Sequence, residues 1–101
     1  FICLFMAGKM TIGQVIQRSY FDKEKVLIKE IYFVKSKKDK VLHGTYKRFF
    51  PQGYLELLGK YNLGKKDSIF TEWWPNGNLM RWVNYKNDHK QGDFMVYDTL
   101  G

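Results

Sequence analysis

The chain has 101 residues, 45% hydrophobic and 18% aromatic, with 17 Lys+Arg against 10 Asp+Glu and a formal charge of +7. That length suits one small domain with a thin core, burying about 60–65% of its unfolded surface, and leaves no room for two. The aromatic load and modest charge exclude a disordered tail.

In chain order, Phe1-Ile-Cys-Leu-Phe-Met-Ala-Gly8 is apolar and uncharged. It is too short to cross a bilayer, which takes about 20 residues. It reads as the remnant of an export-signal hydrophobic region ahead of Lys9, with a buried strand or a cloning boundary as alternatives. Phe1 in place of an initiator Met fits a processed or partial chain, and the segment favours an exported or cell-envelope location over the cytoplasm. Met10 to Arg18 is compatible with a short helix or an opening strand, and residues 1–19 form an N-terminal segment. Lys25 to Val34, rich in β-branched and aromatic residues, reads as one strand. The densest basic run, Lys35, Lys37, Lys38 and Lys40, reads first as a solvated loop and second as a phosphate-contact patch. The whole basic excess precedes Pro51: residues 51–101 hold six Lys/Arg and six Asp/Glu.

From residue 44 onward the chain repeats with a period of 24 residues. The shift places Gly53 on Gly77 and Gly101, Pro51 on Pro75, Leu55 on Leu79, Tyr61 on Tyr85 and Lys66 on Lys90. Three aromatic columns align as well: Tyr46, Phe70, Phe94; Phe49, Trp73, Tyr97; Phe50, Trp74. Each unit is an extended run, a Pro-x-Gly turn, a second extended run and a polar join. Asn76-Gly77 predicts a two-residue type I′ hairpin loop, and Gln52-Gly53 a weaker one. In the joins, Asp88 stands where the first copy has Gly64, and Asp tolerates the left-handed region. Tyr20-Phe21 and Tyr32 fall on Phe49-Phe50 and Tyr61 at a spacing of 29, so residues 20–43 read as a degenerate first copy with about five extra residues in the basic loop. The two-residue loops pair Trp74 with Leu79, Glu72 with Arg81 and Phe70 with Val83, and in the preceding unit Phe50 with Leu55, Arg48 with Leu57 and Tyr46 with Gly59.

The opposite face would carry Phe49, Leu58, Ile69, Trp73, Met80, Trp82 and Tyr97, making both faces apolar. An antiparallel sheet with one wet side alternates more cleanly. Either the sheet curls and the N-terminal strands cover one face, or part of the second face is a docking stripe. Phe49, Trp73, Trp82 and Tyr97 are the candidate partner-binding residues, since exposed apolar stripes mark interaction sites. Gly101 occupies the turn position of a third unit. The expectation is either a longer parent with more repeats or an open edge at Asp93 to Tyr97, to which another strand or another copy could pair.

These units resemble the MORN-repeat variant of bacterial YwqK-family antitoxins. The resemblance rests on Gly44-Thr-Tyr-Lys-Arg-Phe-Phe-Pro-Gln-Gly53, Phe70-Thr-Glu-Trp-Trp-Pro-Asn-Gly77 and Gly92-Asp-Phe-Met-Val-Tyr-Asp-Thr-Leu-Gly101, with their Tyr61 and Tyr85 joins. It covers 44–101 well and 20–43 loosely; Ser68, where the family opens a unit with Gly, and Asp88 are departures. It implies an all-β antiparallel meander of hairpins, as one elongated or open curled sheet, and brings no catalytic residues.

Chemistry is sparse. Cys3 is the sole cysteine and His43 and His89 the only imidazoles, so no intrachain disulfide and no Cys/His zinc spacing exist. There is no Gly-x-Ser-x-Gly, P-loop or His-Glu-x-x-His motif. The expectation is a non-catalytic, cofactor-free protein-interaction module, antitoxin-like or envelope-associated. The alternative is a basic-aromatic surface for nucleic acid or an anionic membrane. Thr45-Tyr-Lys-Arg-Phe-Phe50 interleaves the two residue types as single-strand binders do, but the other units do not repeat its basic character, which counts against nucleic acid.

Overall fold

The computed structural model describes residues 14–97. The apolar start, Cys3 and the Gly101 turn position lie outside the described residues. Within them the chain forms β1 (Val15–Tyr20), β2 (Ile28–Val34), β3 (Leu42–Phe49), β4 (Leu55–Asn62), β5 (Lys65–Lys66), β6 (Ser68–Trp73), β7 (Leu79–Lys86) and β8 (His89–Val96). All pairings are antiparallel, and the sheet runs β1-β2-β3-β4-β6-β7-β8 with β5 on β4. This is the all-β open meander the repeat predicts, with no helix among the described residues.

The expected long-range register holds. Arg48 pairs with Leu57, Tyr46 with Gly59, Glu72 with Arg81 and Phe70 with Val83. The loop chemistry is different from the expectation. Trp73, not Trp74, pairs with Leu79, and Phe49, not Phe50, with Leu55. Each hairpin closes with a type I turn in which Gly53 and Gly77 donate to the carbonyls of Phe50 and Trp74 at 2.8 and 2.9 Å. Pro51 and Pro75 supply the fixed φ of the second turn position, and Gly53 and Gly77 follow at φ +97° and +91° as a G1 bulge. Asn76 is not at positive φ, so Asn76-Gly77 is no type I′ loop.

The type I′ turns sit in the polar joins. Leu63-Gly64 (φ 48°, 85°) lies inside the pair Asn62 with Lys65, and Asn87-Asp88 (φ 50°, 71°) inside Lys86 with His89. Each tip is tied to the preceding unit: Gly64 donates to the Leu42 carbonyl at 2.8 Å and Asp88 to the Lys66 carbonyl at 3.0 Å.

A second device recurs at the same period. Between matched pairs, the strand carrying Gly44, Ser68 or Gly92 has two more residues than its partner, and all three residues have positive φ (117°, 81°, 71°). An even excess preserves alternation, so the residues on either side of the bulge stay on one face while the strand twists. Ser68 thus stands in a glycine position.

Two further expectations are corrected. The strand over Lys25 to Val34 begins only at Ile28; Lys25 turns at φ 61°, and the Asp22 carboxylate accepts the Val26 and Leu27 N–H groups. The N-terminal strands do not cover a face: β1 and β2 extend the same sheet at its edge. The buried apolar side chains, Val34, Tyr46, Leu57, Phe70 and Val83, therefore gain their burial within one layer.

Candidate functional site: an aromatic trough and an open strand edge

Tyr46, Leu57 and Phe70 form the core cluster, with Tyr32, Leu42, Tyr61 and Tyr85 packed against it. The rings make a ladder across the strands: Tyr32 to Tyr46 at 5.7 Å, Tyr46 to Tyr61 at 5.7 Å, Tyr61 to Phe70 at 5.4 Å and Phe70 to Tyr85 at 5.5 Å, the last three edge-to-face. Such contacts add about 0.5–1.5 kcal/mol each beyond burial. The ladder floors an open trough of about 710 Å³.

One side of the trough is cationic. Lys40, Lys66 and Lys90 line it, with the Lys66 ammonium 5.4 Å from the Phe70 ring centre and 4.8 Å from that of Tyr85, and Lys90 5.1 Å from Phe94. None of the three forms an ion pair among the described residues. Toward the other strand ends the charges are matched. Arg48 pairs with Glu56 (3.2 Å) and Glu72 (3.9 Å), and Arg81 with Glu72 (2.5 Å). Glu30 accepts from the Ser19 hydroxyl at 2.7 Å and from the Tyr46 phenol. Burial works to raise the Glu30 carboxyl, but the Tyr46 and Ser19 hydrogen bonds and the Lys29 and Arg48 charges outweigh it, leaving it below the usual carboxylate value. Burial, the same hydrogen bond and the Glu30 charge push the Tyr46 phenol far up. Burial and the Asp88 charge raise Tyr61.

The sequence-derived candidates are spread out. Phe49, Trp73, Trp82 and Tyr97 are each half-buried. Phe49 lines a separate apolar hollow of about 270 Å³ with Val26, Leu27 and Ile28. Trp82 pairs between Thr71 and Met95 in a cross-strand row that continues through Leu58 and Lys47, so a threonine and a lysine interrupt its apolar run. Lys35, Lys37, Lys38 and Lys40 are exposed on the β2–β3 loop; Lys35 pairs with Asp39 at 3.9 Å, and of the four only Lys40 lines the trough. The basic-aromatic run is divided by strand alternation: Tyr46 and Arg48 face the trough, and Lys47 is exposed on the other side.

The open edge expected at Asp93 to Tyr97 falls on β8, the edge strand of the described sheet, although Phe94, Met95 and Val96 are not among the candidate binding residues the sequence suggests. Phe94, Met95 and Val96 are 49%, 44% and 62% exposed, whereas Tyr46 and Phe70, in the same repeat column as Phe94, are 8% and 5% exposed. The signal was present in the recurrence of Lys66 at Lys90 and of Phe70 at Phe94. Among the described residues no His/Cys/Asp/Glu group could hold a metal ion, and no helix is long and apolar enough to cross a membrane. No protein-family model, no curated protein and no solved structure matches the chain.

Proposed function

We propose that the chain is a non-catalytic protein-interaction module of MORN-variant hairpin repeats, antitoxin-like or envelope-associated, which binds a polypeptide partner at the β8 edge and the adjoining trough. The observation that carries this reading is the exposure of Phe94, Met95 and Val96 on a strand with one side unpaired among the described residues. An apolar edge strand without a bulge, proline or inward charge on its last residues is a template for strand addition. The test is affinity capture from the native host with the wild-type chain and with Met95→Lys. Hydrogen exchange then maps the footprint of any captured protein. Loss of capture by the variant and protection of the β8 amides support the proposal; a partner retained by the variant, with its footprint elsewhere, refutes the edge as the binding site.

The ammonium groups of Lys40, Lys66 and Lys90, none of them in an ion pair among the described residues, favour a second reading, in which the trough takes an anionic ligand such as a nucleic acid or an anionic membrane surface. Binding of this kind falls steeply with salt. Retention of single-stranded RNA or anionic liposomes at low salt, lost at physiological salt, would favour it over the first.

A further inference from the structure

The fold gathers charge that the sequence scatters. Three chain reversals lie at one end of the strands: residues 35–41 between β2 and β3, the Leu63-Gly64 turn between β4 and β5, and the Asn87-Asp88 turn between β7 and β8. Residues 35–41, 62–67 and 86–90 together hold eight lysines against three aspartates, a net charge of +5. Four of those lysines, Lys65, Lys66, Lys86 and Lys90, come from the half of the chain that is neutral overall. In the reversals at the opposite end, residues 21–27, 50–54 and 74–78, Asp22 and Glu24 balance Lys23 and Lys25. The aspartates do little to quench the basic end. Of the eight lysines only Lys35 is in an ion pair among the described residues, and the Asp88 carboxylate accepts the Lys66 N–H at 2.7 Å. All eight but the half-buried Lys66 are exposed. Successive reversals are two strands apart in the sheet, so the lysines form a row about 20 Å long at the usual strand spacing. Just inside the second and third reversals a tyrosine pairs across strands with a lysine, Tyr61 with Lys66 and Tyr85 with Lys90, and all four side chains line the trough. The basic-aromatic combination that Thr45 to Phe50 shows once along the chain thus recurs across strands, at the period of the repeat.

We propose that this end of the sheet binds single-stranded nucleic acid, with its phosphates along the lysine row and its bases against the trough aromatics beside Lys66 and Lys90. A positive track running beside aromatic side chains is how sequence-tolerant single-strand binders work. The proposal rests on the anionic-ligand reading above, names its occupant, and is independent of the β8 edge. Two other occupants are disfavoured. A second copy would set one strongly basic end against another. A bilayer takes apolar area together with charge, but the exposed Phe21, Val26, Leu27 and Tyr54 lie in the reversals of the neutral end, and Leu63 is the one exposed large apolar side chain in those of the basic end.

The test titrates the full chain against a fluorescent twelve-nucleotide oligothymidylate, an abasic strand of the same length and a duplex of the same length, followed by anisotropy. The thymidylate strand should bind at least about fivefold tighter than the abasic strand, the contribution of one stacked base. Its binding should weaken by about 20- to 130-fold between 50 and 200 mM salt, as for three to five neutralised phosphates. Lys37→Glu with Lys38→Glu, and separately Lys86→Glu, should each weaken it at least about fivefold at low salt. Lys23→Glu with Lys25→Glu, which changes the charge as much as the first pair but at the neutral end, should leave it within about twofold; thermal melts check that all three variants fold. Equal binding of the abasic strand or of the duplex overturns the proposal, as does binding that the basic-end variants leave unchanged. Anionic liposomes bound in place of the oligonucleotide overturn this inference and leave the anionic-ligand reading standing; failure of both to bind at low salt overturns both.

Discussion

Gly59→Ala tests whether the aromatic ladder is the core. Gly59 is buried on β4, and its φ lies outside the left-handed region, so an alanine meets no backbone penalty there. A Cβ at this position falls 2.3 Å from two carbons of the Phe70 ring and 2.6 Å from a third. Carbon atoms in contact sit about 3.5–4.0 Å apart, so the ring must retreat by more than about 1 Å. It has nowhere to go, because Tyr61 and Tyr85 hold it edge-on from either side. Overpacking costs about 1–3 kcal/mol, with complete loss of the ring's packing, about 3–5 kcal/mol, as the ceiling. Alanine's advantage over glycine in a strand returns about 0.5–1 kcal/mol. The net expectation is destabilisation by about 2 kcal/mol, a fall in Tm of about 8–16 °C, read by thermal melts and urea titration of tryptophan fluorescence. With Phe70→Leu added, the loss should be smaller than the sum of the single losses, because the two changes share one contact. A Gly59→Ala chain within about 0.5 kcal/mol of wild type would show that the ring sits elsewhere and refute the ladder.

Ser68→Gly should stabilise the chain by about 1 kcal/mol, because serine there bears the left-handed penalty that Gly44 and Gly92 avoid. Gly44→Ser should destabilise it by more than that, since its new Cβ would also fall 2.6 Å from Gln14 Nε2; equal and small effects in chemical denaturation would refute the shared bulge. Leu63→Asn should gain about 0.5–1 kcal/mol at the exposed type I′ position, with no gain meaning that the His43 Nδ1 acceptor of the Leu63 N–H, 3.1 Å away, already compensates. In pH-dependent melts, the stability due to Glu30, whose folded pKa is lowered, is present above its ordinary value of 4.5 and lost as pH falls through the folded value. That due to Tyr46, whose folded pKa is raised, is present below its ordinary value of 10.0 and lost as pH rises through the folded value. Glu30→Gln should flatten the acid limb and Tyr46→Phe the alkaline limb; unchanged limbs would mean that the pair does not form.

Much of the fold was readable because a 24-residue period constrains pairing from both ends. Phe70 with Val83 and Tyr46 with Gly59, expected from two-residue loops, stand although the turns differ, since one extra loop residue is absorbed by one bulge beside it. The turn types were misread for the same reason. Asn-Gly signals type I′ when it is the whole loop, but a preceding proline at the second turn position favours type I and moves the glycine to the bulge. Leu63-Gly64 has no such sequence signal at Leu63; its left-handed φ is imposed by the pair Asn62 with Lys65 and the bond from Gly64 to Leu42.

The site was harder to read because exposure belongs to a neighbourhood and not to a residue type. Phe70 and Phe94 occupy the same column, follow the same kind of bulge and lie near equivalent lysines, yet one is core and the other is half open. The difference is a single strand: Phe70 has β7 and its Tyr85, and Phe94 has no described strand beyond it. Trp73 and Trp82 are the larger aromatics, but their half-burial on the far face follows from strand alternation within complete hairpins. Burial at a position of the column therefore depends on the strand beside it, and the ring that covers Phe70 has no described counterpart over Phe94. That ring is Tyr85 beneath the Lys66 ammonium, and a position in the repeat matters for the basic residues too: the lysine loop, which has no counterpart in the later units, contributes only Lys40 to the trough.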